Sequence, residues 1–260
     1  MDIIRFQVDA LNVEVHADSQ SSGRAAAEAA SQAVCKLSKV QDFVSVIFAT
    51  GASQLDTLGA FTSRSDIPWN KIVGFHLDEY VGIADNHPAS FRRYLREHLT
   101  TRVPIHEFHE IDGNAPDSER FCISYTKILR DGNPQLCLLG IGENGHLAFN
   151  DPAEADFEDP RDMKVALLDS TCREQQAAEG WFRTCEEVPS RALTLTIPAI
   201  MRVPKLILTV PGERKAHIVK RALHEPISEA CPATILRTHP DVTVFLDADS
   251  AAELELDAIA

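Results

Sequence analysis

The chain has 260 residues, of which 44% are hydrophobic and 25% are charged, and its formal charge is −14 at pH 7. This composition is typical of a globular protein with a substantial core. The negative charge argues against nucleic acid and anionic membrane surfaces as partners, because both favour a basic protein face.

The sequence contains no apolar run of the roughly 20 residues that span a bilayer. Residues 1–6 lack the basic start and long apolar region of a signal peptide. The six cysteines are scattered and form no Cys-x-x-Cys pair. We therefore expect a cytoplasmic protein with reduced thiols and no zinc site.

Runs of apolar and β-branched residues alternate along the chain with segments of helical periodicity. The predicted strands are residues 43–48, 71–77, 136–141, 163–168, 192–197, 206–210 and 242–246, with one or two short strands within residues 1–20. The predicted helices are residues 23–39, 90–99, 119–130, 171–182 and 213–223. This alternation predicts one α/β domain over residues 1–260, with a mostly parallel sheet and helices on both faces.

In such open sheets the ligand binds at the carboxyl ends of the strands. Residues 153–162 are acidic and aperiodic, and they predict a surface loop that could serve as an active-site flap.

The first candidate site follows the strand at residues 43–48. It consists of Thr50, Gly51, Ala52 and Ser53, and a helical segment comes next. Hydroxyl groups and the N–H groups at a helix start can bind a phosphate. A plain helix cap by Ser53 is the structural alternative, and this segment alone favours the cap.

Two carboxylates, Asp78 and Glu79, follow the next strand. Neighbouring residues of a strand point to opposite sides, so one acid can face a cleft while the other pairs with structure. A carboxylate whose pKa is raised by partial burial suits proton transfer. A solvated turn is the competing interpretation.

The most informative segment runs from Leu138 to Pro152. An apolar strand leads into three glycines, and Asn144, His146 and Asp151 follow closely. His146 and Asp151 could form a hydrogen-bonded pair that orients the imidazole.

Further along, Lys215 lies in the first turn of a predicted helix after Gly212, where a phosphate would also meet free N–H groups. A lone lysine on a helix is more often simply solvated.

The segment Gly-Ile-Gly-Glu-Asn-Gly-His-Leu-Ala-Phe-Asn-Asp-Pro at residues 140–152 resembles a signature of the glucosamine-6-phosphate deaminase/isomerase family, which is related to the 6-phosphogluconolactonases. Residues 75–82, 87–91 and 112–117 are similar to further segments of that family, in the same order. The resemblance implies a Rossmann-like sheet, a phosphorylated amino sugar as the small-molecule partner, and no metal or organic cofactor.

The resemblance also implies a role for individual residues. Asp78 would move a proton between C1 and C2 of the open-chain sugar. His146 would open the pyranose ring with support from Asp151. Residues 50–53 and Lys215 would hold the phosphate. Arg173 is a candidate second phosphate ligand, because the family's phosphate arginine lies on this helix.

Several residues depart from the family pattern. Ala52 and Gln54 stand in a loop where relatives have Thr-Gly-Gly-Thr-Pro. Asn144 stands where many members have aspartate, and because Asn cannot accept a proton it is left an orienting role. Asp151 stands where the family usually has glutamate, and it has one methylene less of reach.

The resemblance implies the conversion of D-glucosamine 6-phosphate and water to D-fructose 6-phosphate and ammonia. Two alternatives on the same scaffold are a 6-phosphogluconolactonase and a deaminase of another amino-sugar phosphate such as galactosamine 6-phosphate. The Phe-Asn-Asp-Pro ending at residues 149–152 disfavours the lactonase. An alternative of another class is a non-catalytic sugar-phosphate sensor. The sequence leaves open whether the chain forms a homo-oligomer.

Overall fold

The computed structural model describes residues 3–178 and 180–256, and within them a large sheet lies beside a small one. The strands are β1 (Ile4–Val8), β2 (Leu11–His16), β3 (Val44–Phe48), β4 (Ile72–His76), β5 (Asp78–Tyr80), β6 (Glu107–His109), β7 (Leu136–Leu139), β8 (Met163–Leu167), β9 (Arg191–Leu195), β10 (Lys205–Val210) and β11 (Val242–Asp247). The α-helices are α1 (Ser19–Leu37), α2 (Leu55–Thr62), α3 (Phe91–Leu95), α4 (Ser118–Gly132), α5 (Ser170–Ala178), α6 (Ile197–Met201) and α7 (Ala216–His224).

The large sheet has the strand order β1-β2-β11-β10-β7-β3-β4-β6. All neighbouring strands pair in parallel except β1 and β2, which form an antiparallel hairpin. The predicted α/β fold with a mostly parallel sheet is therefore confirmed, and the α-helices lie between strands as the alternation predicted.

Alternate residues of the central strands pack into two separate cores. Val46 and Phe48 of β3 face the core that contains α1 and α2, and Ile47 faces the opposite core with α4 and α7. Leu138 and Leu139 of β7 divide in the same way. Burial on both faces explains why these strands are continuously apolar in sequence.

The chain reverses its direction across the sheet between β3 and β7. From β3 it proceeds to β4 and β6 on one side, whereas from β7 it proceeds to β10 and β11 on the other. The loops that follow β3 and β7 therefore leave on opposite sides, and a crevice opens between them. Open α/β sheets bind their ligands at this kind of switch point.

The small sheet has the order β5-β9-β8 and is antiparallel throughout. The strands predicted at residues 163–168 and 192–197 are present, but they belong to this sheet and not to the large one. It packs over an aromatic core in which Phe91 and Phe149 stack at 5.8 Å and Tyr80 lies 5.1 Å from Phe149, between ring centroids. This arrangement fixes Asp78, the first residue of β5, above the crevice.

Helix α1 begins at Ser19, four residues before the predicted start, because Asp18 caps it. The Asp18 carboxylate accepts the backbone N–H of Ser21 at 2.7 Å, and the Ser21 hydroxyl oxygen accepts the backbone N–H of Asp18 at 3.1 Å. Such a reciprocal pair satisfies N–H groups that have no partner inside the helix.

All six cysteines are free. Within the described residues, no helix is both long and apolar enough to cross a membrane.

Candidate active site

A cleft of about 480 Å³ lies at the carboxyl ends of the parallel strands. It is lined by the loops that follow β3, β4, β7 and β10, together with residues of α5. Of the ten predicted site residues, seven line this cleft: Thr50, Gly51, Ala52, Ser53, Asp78, His146 and Lys215. Asn144 and Asp151 lie directly behind His146, and Arg173 lies elsewhere.

The loop after β3 turns sharply at Gly51 and enters a short 3₁₀ turn, Ala52–Gln54, that leads into α2. Gly51 has φ of +98°, a conformation that strongly favours glycine. Ala52 is not among the described residues with positive φ, so alanine fits here without backbone strain. Tyr94 donates its hydroxyl to the carbonyl of Gly51 at 2.9 Å and braces the loop. Ser53 is half-buried and lines the cleft.

Lys215 approaches the cleft from the turn after β10. Its side chain is buried, and Nζ donates to the carbonyl of Ile141 at 2.8 Å. The turn is fixed from the neighbouring strand, because the carboxylate of Asp247 accepts the N–H of Gly212 at 3.0 Å. Lys215 and Ser53 thus face one cleft from opposite sides of the switch point, as two ligands of one anion would.

Asp78 and Glu79 separate as the strand alternation predicted. Asp78 is 6% exposed and lines the cleft, whereas Glu79 is fully buried on the other side. Burial raises the pKa of Asp78 well above its usual value, and the neighbouring Glu79 raises it further. A carboxyl group with a raised pKa that faces a cleft is equipped to exchange protons near neutral pH.

Glu79 holds the segment that follows the second sequence signature. Its carboxylate accepts N–H groups of Tyr80, Phe91 and Arg92 at 2.9–3.1 Å and the Ser90 hydroxyl at 2.9 Å. Burial raises the pKa of Glu79, and these hydrogen bonds oppose the rise. Glu79 therefore anchors the start of α3, which is the structural role predicted for it.

His146 and Asp151 form the predicted pair. The His146 Nδ1 atom lies 2.9 Å from Oδ1 of Asp151, although the ring N–H is not aimed along this line, and a rotation of the imidazole would complete the hydrogen bond. Asp151 is fully buried. Burial raises the pKa of Asp151, but its contacts with His146, Asn144 and the N–H of Asp169 outweigh burial and leave the pKa below the usual value. The ionised carboxylate can therefore orient and stabilise the imidazole.

Asn144 lies between two carboxylates. Its Nδ2 atom donates to Oδ1 of Asp151 at 3.0 Å and to Oδ2 of Asp169 at 3.2 Å, and its Oδ1 accepts the N–H of His146 at 3.0 Å. Asp169 also accepts the N–H of Cys172 at 2.7 Å at the start of α5 and donates its own N–H to Asp151 at 3.2 Å. The orienting role predicted for Asn144 agrees with these contacts. The sequence did not identify Asp169, because a lone Asp before a helix is typical of an ordinary cap.

The glycines and Asn150 of the signature shape the loop around His146. A Cβ atom on Gly142 would lie 2.2 Å from the imidazole of His146, so only glycine lets the ring cross the loop at this point. The chain then makes a tight turn in which the buried side chain of Asn150 donates to the carbonyls of Leu147 and Leu195 at 2.9 and 2.8 Å. Asn150 therefore attaches the loop to β9.

The structure does not bring Arg173 to the cleft. Its guanidinium donates to the carbonyls of Cys185 and Val188 at 2.8 and 3.2 Å, and the side chain secures the segment after α5. The sequence predicted the helix correctly but could not give the direction of this side chain, which the later carbonyls determine.

Arg214 is a cleft residue that the sequence interpretation missed. It lies on the same 3₁₀ turn as Lys215, lines the cleft, and forms an ion pair with Glu143 at 2.7 Å. Both residues are partly exposed, so this pair is screened by water. Its position directly before Lys215 could have indicated Arg214 as a cleft residue, but an exposed arginine on a turn is usually only solvated.

The flap hypothesis for residues 153–162 is wrong for this structure. None of these residues lines the cleft. Asp162 is buried in an ion pair with Arg130, at 2.6 Å, and with Arg202, and Asp159 pairs with Arg161 at 2.9 Å. These contacts hold the segment against α4 and the region after α6.

One group of side chains in residues 3–178 and 180–256 could hold a metal ion. His146, Asp151 and Cys172 are all buried, and each offers a ligand atom within 4.8 Å of the others. Burial raises the pKa of the Cys172 thiol far above its usual value, and the nearby carboxylates of Asp151 and Asp169 add to this rise. The thiol is therefore protonated at neutral pH in the absence of a metal.

Comparisons with known proteins agree with this geometry. A sequence model of the family described as glucosamine-6-phosphate isomerases/6-phosphogluconolactonase matches residues 17–245. The glucosamine-6-phosphate deaminase of Listeria monocytogenes serotype 4a (strain HCC23) is 38% identical over 206 residues, which cover 79% of this chain and 86% of that protein. The deaminase of Exiguobacterium sp. (strain ATCC BAA-1283 / AT1b) is 34% identical over 217 residues, or 84% and 83% of the two chains.

Solved structures show the same fold. A monomeric glucosamine-6-phosphate deaminase of the NagB superfamily superposes with a TM-score of 0.84 at 28% identity, covering 93% of this chain and 99% of that one. A 6-phosphogluconolactonase from Thermotoga maritima superposes with a TM-score of 0.74 at 20% identity, covering 91% and 99%. At that identity the second similarity concerns the fold alone.

Proposed function

Since this chain belongs to the glucosamine-6-phosphate isomerase/6-phosphogluconolactonase family, we propose that it is a glucosamine-6-phosphate deaminase. The reaction converts D-glucosamine 6-phosphate and water to D-fructose 6-phosphate and ammonia. One observation supports this most strongly. A single cleft unites a buried carboxyl group at Asp78, the His146–Asp151 pair and the cation of Lys215.

The phosphate group binds at the switch point in this proposal. Ser53 and the N–H groups of the loop around Gly51 face it from one side, and Lys215 faces it from the other. Arg214 supplies the second positive charge in place of Arg173, because Arg214 lines the cleft next to Lys215 and Arg173 does not. Helix starts and paired cations of this kind bind phosphate dianions well.

Ring opening is assigned to His146. The imidazole passes a proton from the C1 hydroxyl to the ring oxygen of the pyranose as the bond between C1 and the ring oxygen breaks. The ionised Asp151 stabilises the imidazole through Nδ1. Asn144 holds Asp151 in place from behind. This division of roles follows the usual pattern in which a buried carboxylate fixes the tautomer of a working histidine.

Asp78 carries out the isomerisation in this proposal. Its carboxylate takes the proton from C2 of the open-chain sugar and returns it to C1. The oxygen on C1 gains a proton as the amino nitrogen loses one, which leaves a hydroxyl group on C1 and an imine at C2. Water adds to this imine, and the resulting carbinolamine releases ammonia as the C2 carbonyl forms. The raised pKa of Asp78 makes its ionised form a stronger base than an ordinary carboxylate.

The proposal is tested with purified protein and three substrates in parallel: glucosamine 6-phosphate, galactosamine 6-phosphate and 6-phosphogluconolactone. We expect ammonia and fructose 6-phosphate in equal amounts from the first substrate and no comparable turnover of the others. Turnover of the lactone or the galactosamine compound alone would replace the proposed substrate. Sugar-phosphate binding without turnover of any of them would indicate a sensor.

We also propose that the protein works in the cytoplasm, which its six free cysteines support. All the groups proposed to bind or react belong to one chain. A homo-oligomer stays a prediction, and sedimentation measures it. Because the cleft is formed within one chain, we expect the specific activity to be independent of any association that sedimentation detects.

A further inference from the structure

Gln54 lies beneath the phosphate loop and not in the cleft. Its side chain is 1% exposed, and its Nε2 atom lies 3.2 Å from the Ser53 hydroxyl, 3.2 Å from the Leu139 carbonyl and 3.1 Å from the Thr209 hydroxyl. These oxygens belong to the loop after β3 and to the ends of β7 and β10. One buried amide thus joins three of the loops and strands that form the cleft.

The carbonyl of Leu139 can only accept a hydrogen bond, which fixes the NH₂ group of Gln54 on this side. The Ser53 hydroxyl oxygen therefore serves as an acceptor toward Gln54. A hydroxyl that accepts from one side still has its own proton to donate. Since Ser53 lines the cleft, that proton is available to a phosphate group bound there.

The surrounding residues leave this arrangement little freedom. A Cβ atom on Gly140 would lie 3.0 Å from the Ser53 hydroxyl and 3.4 Å from Nε2 of Gln54. The Thr57 hydroxyl donates to the Thr209 hydroxyl at 3.2 Å and contacts neither Gln54 nor Ser53 in the described hydrogen bonds. Gln54 is the residue that stands where the resembling sequence pattern has proline, and proline has no donor with which to make these bonds.

We propose that Gln54 is a positioning residue for phosphate binding, and that its buried amide holds the Ser53 hydroxyl as a donor to the phosphoryl group. This inference deepens the proposed function and rests on it. It assigns Gln54 no contact with substrate, and its effect on binding passes through the Ser53 hydroxyl.

The test is a double-mutant cycle of Gln54→Met and Ser53→Ala, with inorganic phosphate as the probe in titration calorimetry. We expect each single variant to weaken phosphate binding by about tenfold to a hundredfold, the range for a hydrogen bond to a charged group. The double variant should bind no more weakly than Ser53→Ala alone, because Gln54 then has no hydroxyl to position. Multiplicative losses in the double variant would overturn the inference.

Thr57→Val is the matched control. It removes a buried hydroxyl from the same network but does not touch Ser53, so phosphate affinity should stay within about twofold of the wild type. If Gln54→Met does not fold, Gln54→Leu replaces it, because leucine also removes both N–H donors and adds no charge beside the phosphate. In steady-state kinetics, Gln54→Met should raise KM for glucosamine 6-phosphate and change kcat by less than about twofold.

Failure of the inference is distinguishable from failure of the proposed function. Wild-type protein that binds no inorganic phosphate in competition with the substrate would contradict the phosphate site itself. Wild-type binding that Ser53→Ala weakens and Gln54→Met leaves unchanged would contradict the role of Gln54 alone.

Discussion

The side-chain amide of Asn144 donates to the carboxylate of Asp151 at 3.0 Å and holds it beside His146. The same NH₂ group reaches Asp169 at 3.2 Å, so each of its two protons has a carboxylate acceptor. An aspartate in this position would add a third carboxylate and remove both donors. Asn144 is therefore matched to the pair of acids around it, and the departure from the family pattern is consistent with a working site.

We predict that Asn144→Asp lowers kcat for glucosamine 6-phosphate by about tenfold or more. Three neighbouring carboxylates cannot all ionise easily, so the pKa of the group that includes Asp151 should rise. Asp151 would then support His146 less well at neutral pH. The measurement is kcat against pH, in which the rise of activity should move to higher pH than in the wild type.

The matched control for this substitution is Asn70→Asp, which adds the same charge at an exposed position outside the cleft. It should leave kcat and its pH dependence unchanged. Undiminished activity of Asn144→Asp would mean that the amide donors are dispensable and would contradict the orienting role of Asn144.

Asp78→Asn should abolish most of the activity and stabilise the fold. Loss of a general base typically costs about 10²–10⁴ in rate. Because burial raises the pKa of Asp78 above the reference value of 3.8, the folded state binds more protons than the unfolded state, and the free energy of unfolding falls as pH rises through this range. The side-chain amide of asparagine carries no charge, so the variant does not lose stability as pH rises.

Thermal unfolding of the wild type and of Asp78→Asn, measured across pH, tests whether stability depends on the protonation of Asp78 in this way. The two proteins should have similar midpoints below about pH 3, where Asp78 is protonated in both states. The variant should become progressively more stable than the wild type as pH rises. A variant that is less stable than the wild type at pH 8 would show that the ionised carboxylate makes favourable contacts, which would oppose the idea of a desolvated base.

Arg214 and Glu143 should affect substrate affinity in opposite directions. Arg214→Gln removes the second cation proposed for the phosphate and should raise KM by about fivefold. Glu143→Gln removes the anion that pairs with Arg214 at 2.7 Å, which frees the guanidinium, and should lower KM or leave it unchanged. If the pair served only to hold the two loops together, both substitutions would raise KM alike.

A further substitution tests whether Arg173 binds the phosphate or only secures the segment after α5. Arg173→Lys should leave KM near that of the wild type, because the guanidinium donates to the carbonyls of Cys185 and Val188 and does not line the cleft. A large rise in KM would instead support the original prediction that Arg173 binds phosphate.

The strands of the large sheet, except the edge strand β6 that the sequence analysis missed, could be predicted because their information is local. Segments such as Val44–Phe48 and Leu136–Leu139 are apolar at every position, since both of their faces are buried. The partner of each strand, in contrast, could not be predicted from the local sequence. Met163–Leu167 and Arg191–Leu195 have the composition of strands in any sheet, and only tertiary packing places them with Asp78–Tyr80 in a separate antiparallel sheet.

The site was predictable where one segment of chain contains the whole arrangement. His146, Asp151 and Asn144 lie within eight residues, and the structure joins them by direct contacts. Residues that meet across the fold gave no such signal. Arg214 reaches the cleft only because β10 ends beside β7, and Asp169 reaches Asn144 only because α5 begins there.

The last prediction concerns Ala148, which has φ of +54° two residues after His146. A left-handed conformation costs a residue with a Cβ atom about 1–2 kcal/mol, whereas glycine adopts it freely but loses about 0.5–1 kcal/mol more in unfolded-state entropy. Ala148→Gly should therefore raise the free energy of unfolding by about 0.5 kcal/mol in urea denaturation. Ala25→Gly inside α1 is the matched control, and it should lower that free energy by about 1 kcal/mol. Destabilisation of both variants to the same extent would mean that the turn at Ala148 is not strained.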